Sequence, residues 1–164
     1  MEIESARPDD VDWLVDAWIR LAGEQREYGS HVRVESNRET MRPVLASHQT
    51  NETALVARLD GERVGFATYS VERGPIEMSC VRALLSNLWV DPDHRNLGVG
   101  TALLRAVETD LEGHGVESCR LEVLSSNDSA RRFYRKNGYE SQRVTMRRSL
   151  DGGDGNDTHT KDDR

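Results

Sequence analysis

Residues 95–100, RNLGVG, contain the cationic Arg95 and two glycines, Gly98 and Gly100, that stand two positions apart. They lie between an apolar, strand-like run that ends at Val90 and an amphipathic stretch that begins near Thr101. Glycines carry no Cβ atom that would hold a phosphate away from the backbone, and a helix that follows points its unpaired N–H groups at the anion. The segment therefore predicts a turn that binds pyrophosphate, although paired glycines at such turns also serve tight packing alone.

A second segment, NDSARRFY at residues 127–134, follows about one strand–helix unit later. Its asparagine can cap a helix, and Ala130, Phe133 and Tyr134 then share one helix face at positions i, i+3 and i+4. A phenol, with an ordinary pKa of about 10, is protonated at neutral pH and can donate a proton. The segment predicts a capped helix that presents Tyr134 as an acid, with packing as the alternative role of this tyrosine.

Together the two segments resemble the GCN5-related N-acetyltransferase superfamily, and the resemblance runs from the first strand to about Leu150. The coenzyme A motif of that family reads Q/R-x-x-G-x-G/A, and a later helix carries N-x-x-A-x-x-F/L-Y. The residues that fill the two patterns here are Arg95, Gly98 and Gly100, then Asn127, Ala130, Phe133 and Tyr134. The resemblance implies an enzyme that moves an acetyl group from acetyl-CoA to a primary amine by direct transfer in a ternary complex, without a metal.

The resemblance also implies roles for individual residues. Tyr134 would be the catalytic acid to the departing thiolate, and the main chain of Leu88 and Val90 would hold the pantetheine arm. The N–H at Val90 would also polarise the thioester carbonyl. The residues implied to bind acetyl-CoA are Leu88, Val90, Arg95, Asn96, Leu97, Gly98, Val99, Gly100, Thr101, Asn127 and Tyr134.

No residue stands out as the general base that an ammonium acceptor requires before attack. The run at residues 83–90 contains no carboxylate, and its polar positions hold Ser86 and Asn87. The nearby ionisable candidates are Glu77, Asp91, Asp93 and His94. Deprotonation through ordered water alone is the other possibility that the resemblance leaves open.

The amine acceptor would lie beside an acidic loop. Glu24, Glu27 and Tyr28 fall where the family places its acceptor loop, and Ser86 lies on the neighbouring strand. An acidic rim attracts a cationic amine, but the same residues suit an ordinary solvated loop. A small amine, an amino acid, an aminoglycoside, and a protein N-terminus or lysine all remain possible acceptors.

A second function class is a catalytically silent module that binds acyl-CoA and regulates a partner. Such a module would keep the glycine turn but could lose Tyr134, so the presence of this tyrosine favours an enzyme. A P-loop nucleotide hydrolase is excluded because Thr101 follows Gly100, where a P-loop has a lysine.

The elements that must position these residues follow from the apolar periodicity and the turn signals. Strands are predicted at residues 2–7, 53–59, 63–71, 83–90, 118–124 and 142–150, with a hairpin at Asp60-Gly61. Helices are predicted from Pro8, at residues 38–48 and 98–112, and from Asn127 to Lys136. The first helix has an apolar stripe that we expect to form core, made of Val11, Leu14, Val15, Trp18 and Leu21. The resemblance implies a layered α/β (α+β) fold with a mixed, mostly antiparallel sheet, a splayed parallel pair of strands 4 and 5, and about four flanking helices.

The composition indicates the domain organisation and the cellular environment of the protein. The chain of 164 residues with a formal net charge of −7 predicts one N-acetyltransferase domain at residues 1–150 and an acidic, disordered tail at residues 151–164. We expect a cytoplasmic protein that binds neither nucleic acid nor membrane, with Cys80 and Cys119 reduced and a homodimer possible. The abundance of acids beside only two lysines, Lys136 and Lys161, suggests a salt-rich source.

Overall fold

The computed structural model describes residues 1–73 and 76–150. The predicted tail at residues 151–164 lies outside them. The elements are β1 Glu2–Ser5, α1 Val11–Arg26, α2 Arg38–Thr50, β2 Ala54–Leu59, β3 Glu62–Val71, β4 Arg82–Val90, α3 Val99–Gly113, β5 Ser118–Leu121 and α4 Asp128–Lys136. The strands form one sheet in the order β1-β2-β3-β4-β5. Only the β4–β5 pair is parallel, so the predicted mixed sheet with a parallel fourth and fifth strand is confirmed.

Helices cover both faces of the sheet. On one face α1 and α2 pack through Leu14, Val15 and Leu45 against Phe66 and Trp89 of the strands. This confirms the predicted apolar stripe of α1, whose remaining members are Val11, Trp18 and Leu21. On the other face α3 packs a separate core, and α4 leans on that same core. The glycine turn and Tyr134 therefore lie on the α3 and α4 face, whereas the predicted acceptor residue Glu24 belongs to α1 on the other face.

A buried ionic cluster attaches the start of α1 to the sheet. The side chain of Asp10 is fully buried and accepts two hydrogen bonds of 2.8 Å from one guanidinium nitrogen of Arg58. Arg63 donates to the same carboxylate at 2.5 Å, and the Arg7 N–H donates at 2.8 Å. Burial alone would raise the pKa of Asp10, but these donors outweigh it and hold the pKa below its usual value.

The β2–β3 hairpin turn and the N-terminal cap of α4 confirm local predictions. Asp60 and Gly61 both have positive φ angles, as a type I′ hairpin turn between β2 and β3 requires. The side chain of Asn127 accepts a hydrogen bond of 3.1 Å from the Ala130 N–H and caps α4. Gly138 follows the end of α4 with a φ of 89°.

The predicted final strand at residues 142–150 is wrong. This segment has no regular secondary structure, and the side chains of Val144, Met146 and Leu150 are 84%, 90% and 88% exposed. The alternation of apolar residues supplies a possible strand face, but a strand also needs a neighbour for its N–H and C=O groups. The fifth strand is also shorter than predicted and ends at Leu121, because its ladder with β4 ends at Leu85.

Among the described residues, no helix has the length and apolar character that a membrane crossing would need. Within the same residues, no cluster of three or more histidine, cysteine or acidic side chains could hold a metal ion.

Candidate active site

A cleft opens where β4 and β5 separate. The parallel ladder covers only Arg82–Leu85 against Ser118–Leu121, after which β4 continues to Val90 while the other chain turns away toward α4. The cavity in this gap has a volume of about 110 Å³. Residues from four parts of the chain line it: Leu21, Glu24, Gln25 and Tyr28; Leu85, Ser86, Asn87 and Leu88; Leu121, Glu122, Val123 and Leu124; Asn127, Ala130 and Tyr134.

The backbone of β4 directs hydrogen-bonding groups toward this gap. Val90 lies opposite Gly65, and the next residue, Asp91, donates its N–H to the Val64 carbonyl at 2.8 Å. Because backbone groups in an antiparallel ladder point alternately toward and away from the partner strand, those of Val90 point away from β3. The same holds for Leu88, two residues earlier. On that side β5 has already ended, so both predicted pantetheine contacts face the gap.

The turn before α3 has the backbone conformation of an anion cradle. Asn96 and Gly98 have φ angles of 61° and 82°, and no side chain caps the helix that begins at Val99. Within the described structure, the N–H groups of residues 96–101 have no hydrogen-bond partner. The first turn of α3 contains no acidic residue. The predicted residues Asn96, Leu97, Gly98, Val99, Gly100 and Thr101 thus bring a row of free donors to one helix end, as pyrophosphate binding requires.

The two glycines of this turn differ in their structural role. A Cβ atom at Gly98 would meet nothing within 4 Å, so this residue is required for its left-handed backbone. A Cβ atom at Gly100 would lie 3.4 Å from the ring of Phe133. This is an ordinary van der Waals distance, so Gly100 marks the point where α4 packs against the start of α3. The sequence pattern did not separate these two roles.

Arg95 lies across the end of β4 and contacts the acceptor side of the cleft. Its Nε donates to the Val90 carbonyl at 3.0 Å, and its guanidinium forms an ion pair of 2.7 Å with Glu24. The second oxygen of Glu24 accepts a hydrogen bond of 3.2 Å from the indole N–H of Trp89. The predicted pyrophosphate cation and a predicted acceptor carboxylate are therefore bound to each other.

Tyr134 lines the cleft from α4. Its ring makes edge-to-face contacts with Phe133 and Tyr139, with centroids 5.1 Å and 5.7 Å away. Burial, with a smaller contribution from the neighbouring Cys119, raises the pKa of Tyr134 to about 12. The phenol is accordingly protonated throughout the physiological range. Asn127 and Ala130, from the same motif, line the cleft beside it.

The predicted acceptor residues, which lie in and just after α1 and on β4, are only partly brought together. Glu24, Tyr28 and Ser86 line the cleft, whereas Glu27 is exposed and does not. The hydroxyl of Ser126 donates to the Tyr28 carbonyl at 2.9 Å and joins the loop before α4 to the end of α1. This contact lies across 98 positions of sequence.

Two polar residues of the cleft, Gln25 and Glu122, were missed by the sequence reasoning. Glu122 follows the last residue of β5, so the break in the parallel ladder was the signal that could have identified it. Gln25 lies next to Glu24 near the end of α1, and nothing in its local sequence distinguishes it from the other polar residues there.

The candidate bases do not converge on the cleft. Asp91 is bound to Arg20 at 2.8 Å and to the Asp93 N–H at 3.0 Å. Although burial opposes it, these two donors lower the pKa of Asp91 and weaken it as a base. The side-chain amide of Asn87 donates to Thr68 at 2.7 Å. Neither Asp91, Asp93 nor His94 lines the cleft.

Comparison with known proteins agrees with this arrangement. Residues 13–139 match the family model described as the acetyltransferase (GNAT) family. An N-alpha-acetyltransferase from Sulfurisphaera tokodaii is 33% identical over 106 residues, which cover 61% of this chain and 64% of that protein. A ribosomal protein bS18-alanine N-acetyltransferase from Escherichia coli K12 is 40% identical over 67 residues, which cover 41% of this chain and 44% of that protein. The matches span less than two thirds of the length of either relative.

Solved structures share the fold at low identity. A tetramutant of a Bacillus halodurans protein has a TM-score of 0.77 and 22% identity, covering 92% of this chain and all of that one. A Clostridium acetobutylicum protein described as a predicted acetyltransferase, whose structure contains acetyl-CoA, has a TM-score of 0.71 and 15% identity, covering 91% of this chain and 96% of that one. At these identities the similarity establishes the arrangement of strands and helices.

Proposed function

Because the chain belongs to the GNAT family of acetyltransferases, we propose that it transfers the acetyl group of acetyl-CoA directly to a primary amine. The observation that carries the proposal is the cleft between β4 and β5, where backbone groups of β4 and the Tyr134 phenol line one cavity. Acyl transfer needs a held thioester, a stabilised oxyanion and a means of handling the leaving thiolate. The cleft offers groups for each of these needs.

Successive parts of the coenzyme would occupy the glycine turn before α3 and the gap between β4 and β5. The free N–H groups of residues 96–101 would bind its pyrophosphate, and the pantetheine arm would run along Leu88 and Val90 in place of a continued β5. The thioester would then lie in the gap beside Tyr134. The Val90 N–H, which points into the gap, would donate to the thioester oxygen as negative charge develops there.

The reaction then balances without a metal. The neutral amine attacks the thioester carbon, a C–N bond forms, and the C–S bond breaks to release the coenzyme thiolate. The ammonium form of the acceptor first loses one proton to water, and the nitrogen loses a second proton to water as the amide forms. The bases predicted from the sequence, Glu77, Asp91, Asp93 and His94, do not line the cleft. The thiolate finally takes a proton from solvent.

Tyr134 would stabilise the leaving thiolate as a hydrogen-bond donor. Its pKa of about 12 lies above the value of about 8.5 for an ordinary thiol. The phenol therefore keeps its proton until the thiolate forms and can donate a hydrogen bond to it. The general-acid role expected from the sequence stays a prediction.

The acceptor we propose is an N-terminal or other primary amine of a protein or peptide. Both named relatives act on such amines by name, one as an N-alpha-acetyltransferase and one on an alanine of a ribosomal protein. The cleft is lined by carboxylates, Glu24 and Glu122, which suit a cationic acceptor.

Release of free thiol from acetyl-CoA over a panel of peptides, small amines and aminoglycosides tests the proposal. We expect turnover with at least one amine and a fall in kcat of about 100-fold in Tyr134→Phe. Tyr139→Phe is the matched control, because it removes the neighbouring phenol, which donates to Glu108 at 3.0 Å outside the cleft. Tight acetyl-CoA binding with no turnover on any amine would instead favour the silent regulatory module.

A further inference from the structure

Arg95 is required in two places. The proposed function needs its charge near the coenzyme pyrophosphate, yet in this structure its guanidinium binds Glu24 at 2.7 Å. Its Nε also occupies the Val90 carbonyl at 3.0 Å, at the end of the gap that the pantetheine arm would follow. One side chain therefore connects the coenzyme side of the cleft with its acceptor side.

Glu24 is held where an acceptor would meet it. It lines the same cavity as Tyr134 and Ser86, and the Trp89 indole N–H fixes one of its oxygens at 3.2 Å. The other oxygen is bound by Arg95. With Arg95 removed, this oxygen would be free on the cleft side, oriented by the remaining hydrogen bond from Trp89.

We propose that Glu24 is an acceptor-binding residue masked by Arg95 until the coenzyme binds. The proposal rests on the proposed function, because it takes acetyl-CoA as the ligand that draws Arg95 away. Pyrophosphate competes for the guanidinium, and Arg95 leaves Glu24 and the Val90 carbonyl. Glu24 then binds the ammonium group of the acceptor, which loses a proton to water before it attacks the thioester. The acceptor class is accordingly a cationic amine, which binds after the coenzyme.

The energetics allow such an exchange. The side chains of Arg95 and Glu24 are 42% and 36% exposed, so their ion pair is weak enough to be broken by a diphosphate. An exposed pair of this kind changes an equilibrium constant by about two- to fivefold. Acetyl-CoA must break this ion pair in order to bind Arg95. Because linkage is reciprocal, the free energy of the ion pair lowers the apparent affinity for acetyl-CoA by the same factor.

The variant Glu24→Gln tests the masking by Arg95 and the acceptor-binding role of Glu24 in separate measurements. The amide oxygen keeps the hydrogen bond from Trp89 but loses the charge that holds Arg95. Calorimetry without acceptor should show acetyl-CoA binding about two- to fivefold tighter. With the fastest-reacting amine of the panel at saturating acetyl-CoA, the acceptor KM should rise about two- to fivefold. A purely structural role for Glu24 would weaken or leave unchanged the affinity for acetyl-CoA.

Two further variants control the measurement. Asp16→Asn removes an exposed ion pair of the same helix, formed with Arg38 at 2.6 Å, and should change neither constant. In the Arg95→Gln background, Glu24→Gln should no longer tighten acetyl-CoA binding, because no Arg95–Glu24 ion pair remains to be broken.

Unchanged or weaker acetyl-CoA binding in Glu24→Gln alone, or an equal gain in both backgrounds, would overturn the masking. An unchanged acceptor KM would overturn the acceptor role. If acetyl-CoA binds but no amine reacts, the proposed function fails, while the two affinities still decide the masking.

Discussion

Gly98 and Gly100 stand two positions apart in one motif, but each meets a different physical requirement. Gly98 has a φ of 82° and open space where a side chain would point. Gly100 has an ordinary helical position and a close neighbour in the Phe133 ring. The first glycine shapes the donor turn, and the second lies where this turn contacts α4.

A substitution at Gly98 should therefore affect the coenzyme more than the fold. In Gly98→Ala we expect the KM for acetyl-CoA to rise about tenfold, because a left-handed alanine strains and displaces the N–H donors. Gly115→Ala is the matched control, since Gly115 also has a positive φ, of 74°, and open space around it. Both variants should lose about 1 kcal/mol of stability. A normal acetyl-CoA KM in Gly98→Ala would argue against the assigned turn.

The pKa of Tyr134 sets an expectation for pH. Burial raises this pKa to about 12, so the protonated phenol persists as pH rises through the ordinary value of about 10. We expect no decline in kcat from Tyr134 ionisation between pH 7 and pH 10. Steady-state kinetics over this range in wild type and Tyr134→Phe test it, and a basic limb near pH 10 that disappears in the variant would contradict it.

At the scale of elements, α1 is fixed to the sheet at both ends. Asp10 binds Arg58 and Arg63 at its start, and near its C-terminal end Arg20 lies 4.7 Å over the Trp89 ring while Glu24 accepts from the same indole. These contacts hold the acceptor side of the cleft against β4. The position of Glu24 thus depends on the packing of a whole helix.

The buried Asp10 carboxylate should stabilise this attachment in a pH-dependent way. Its folded-state pKa is lowered, so its contribution is fully present above the unfolded value of about 3.9 and is lost as pH falls through the folded pKa. Asp10→Asn should lose about 3 kcal/mol at pH 7, because the buried Arg58 then keeps only the partly exposed Glu4 as an anionic partner.

Urea unfolding at pH 7 and near pH 3 measures this effect. The difference between wild type and Asp10→Asn should shrink at the lower pH, where the wild-type carboxylate begins to protonate. The exposed Asp16→Asn serves as the control and should change stability by less than about 1 kcal/mol at either pH. An equal loss for Asp10→Asn at both pH values would show that charge is not the cause.

At the scale of the whole molecule, charge is the dominant feature of the composition. The formal net charge of −7 comes from 29 acidic residues against 22 lysines and arginines. Self-repulsion among these acids destabilises the compact state at low ionic strength and is screened by salt. If the composition reflects a salt-rich source, the thermal unfolding midpoint should rise between low and molar KCl. A midpoint that does not rise would remove this hypothesis.

Much of the fold was predictable because its elements depend on local requirements. The hairpin at Asp60-Gly61, the cap at Asn127 and the apolar stripe of α1 are decided by a residue and its near neighbours. The strand predicted at residues 142–150 failed for the opposite reason. Its alternating pattern is local, but pairing needs an available neighbouring strand, and β5 ends at Leu121.

The sequence by itself determined the glycine turn, the capped α4 and the shared face that carries Tyr134. These follow from backbone conformation and helical spacing, which depend on residues only a few positions apart. Only the tertiary structure decided that Glu24 meets Arg95, across 71 positions, and that Glu27 does not line the cleft. Such contacts depend on how α1 packs against β4, and no local pattern encodes the distance between two side chains on separate elements.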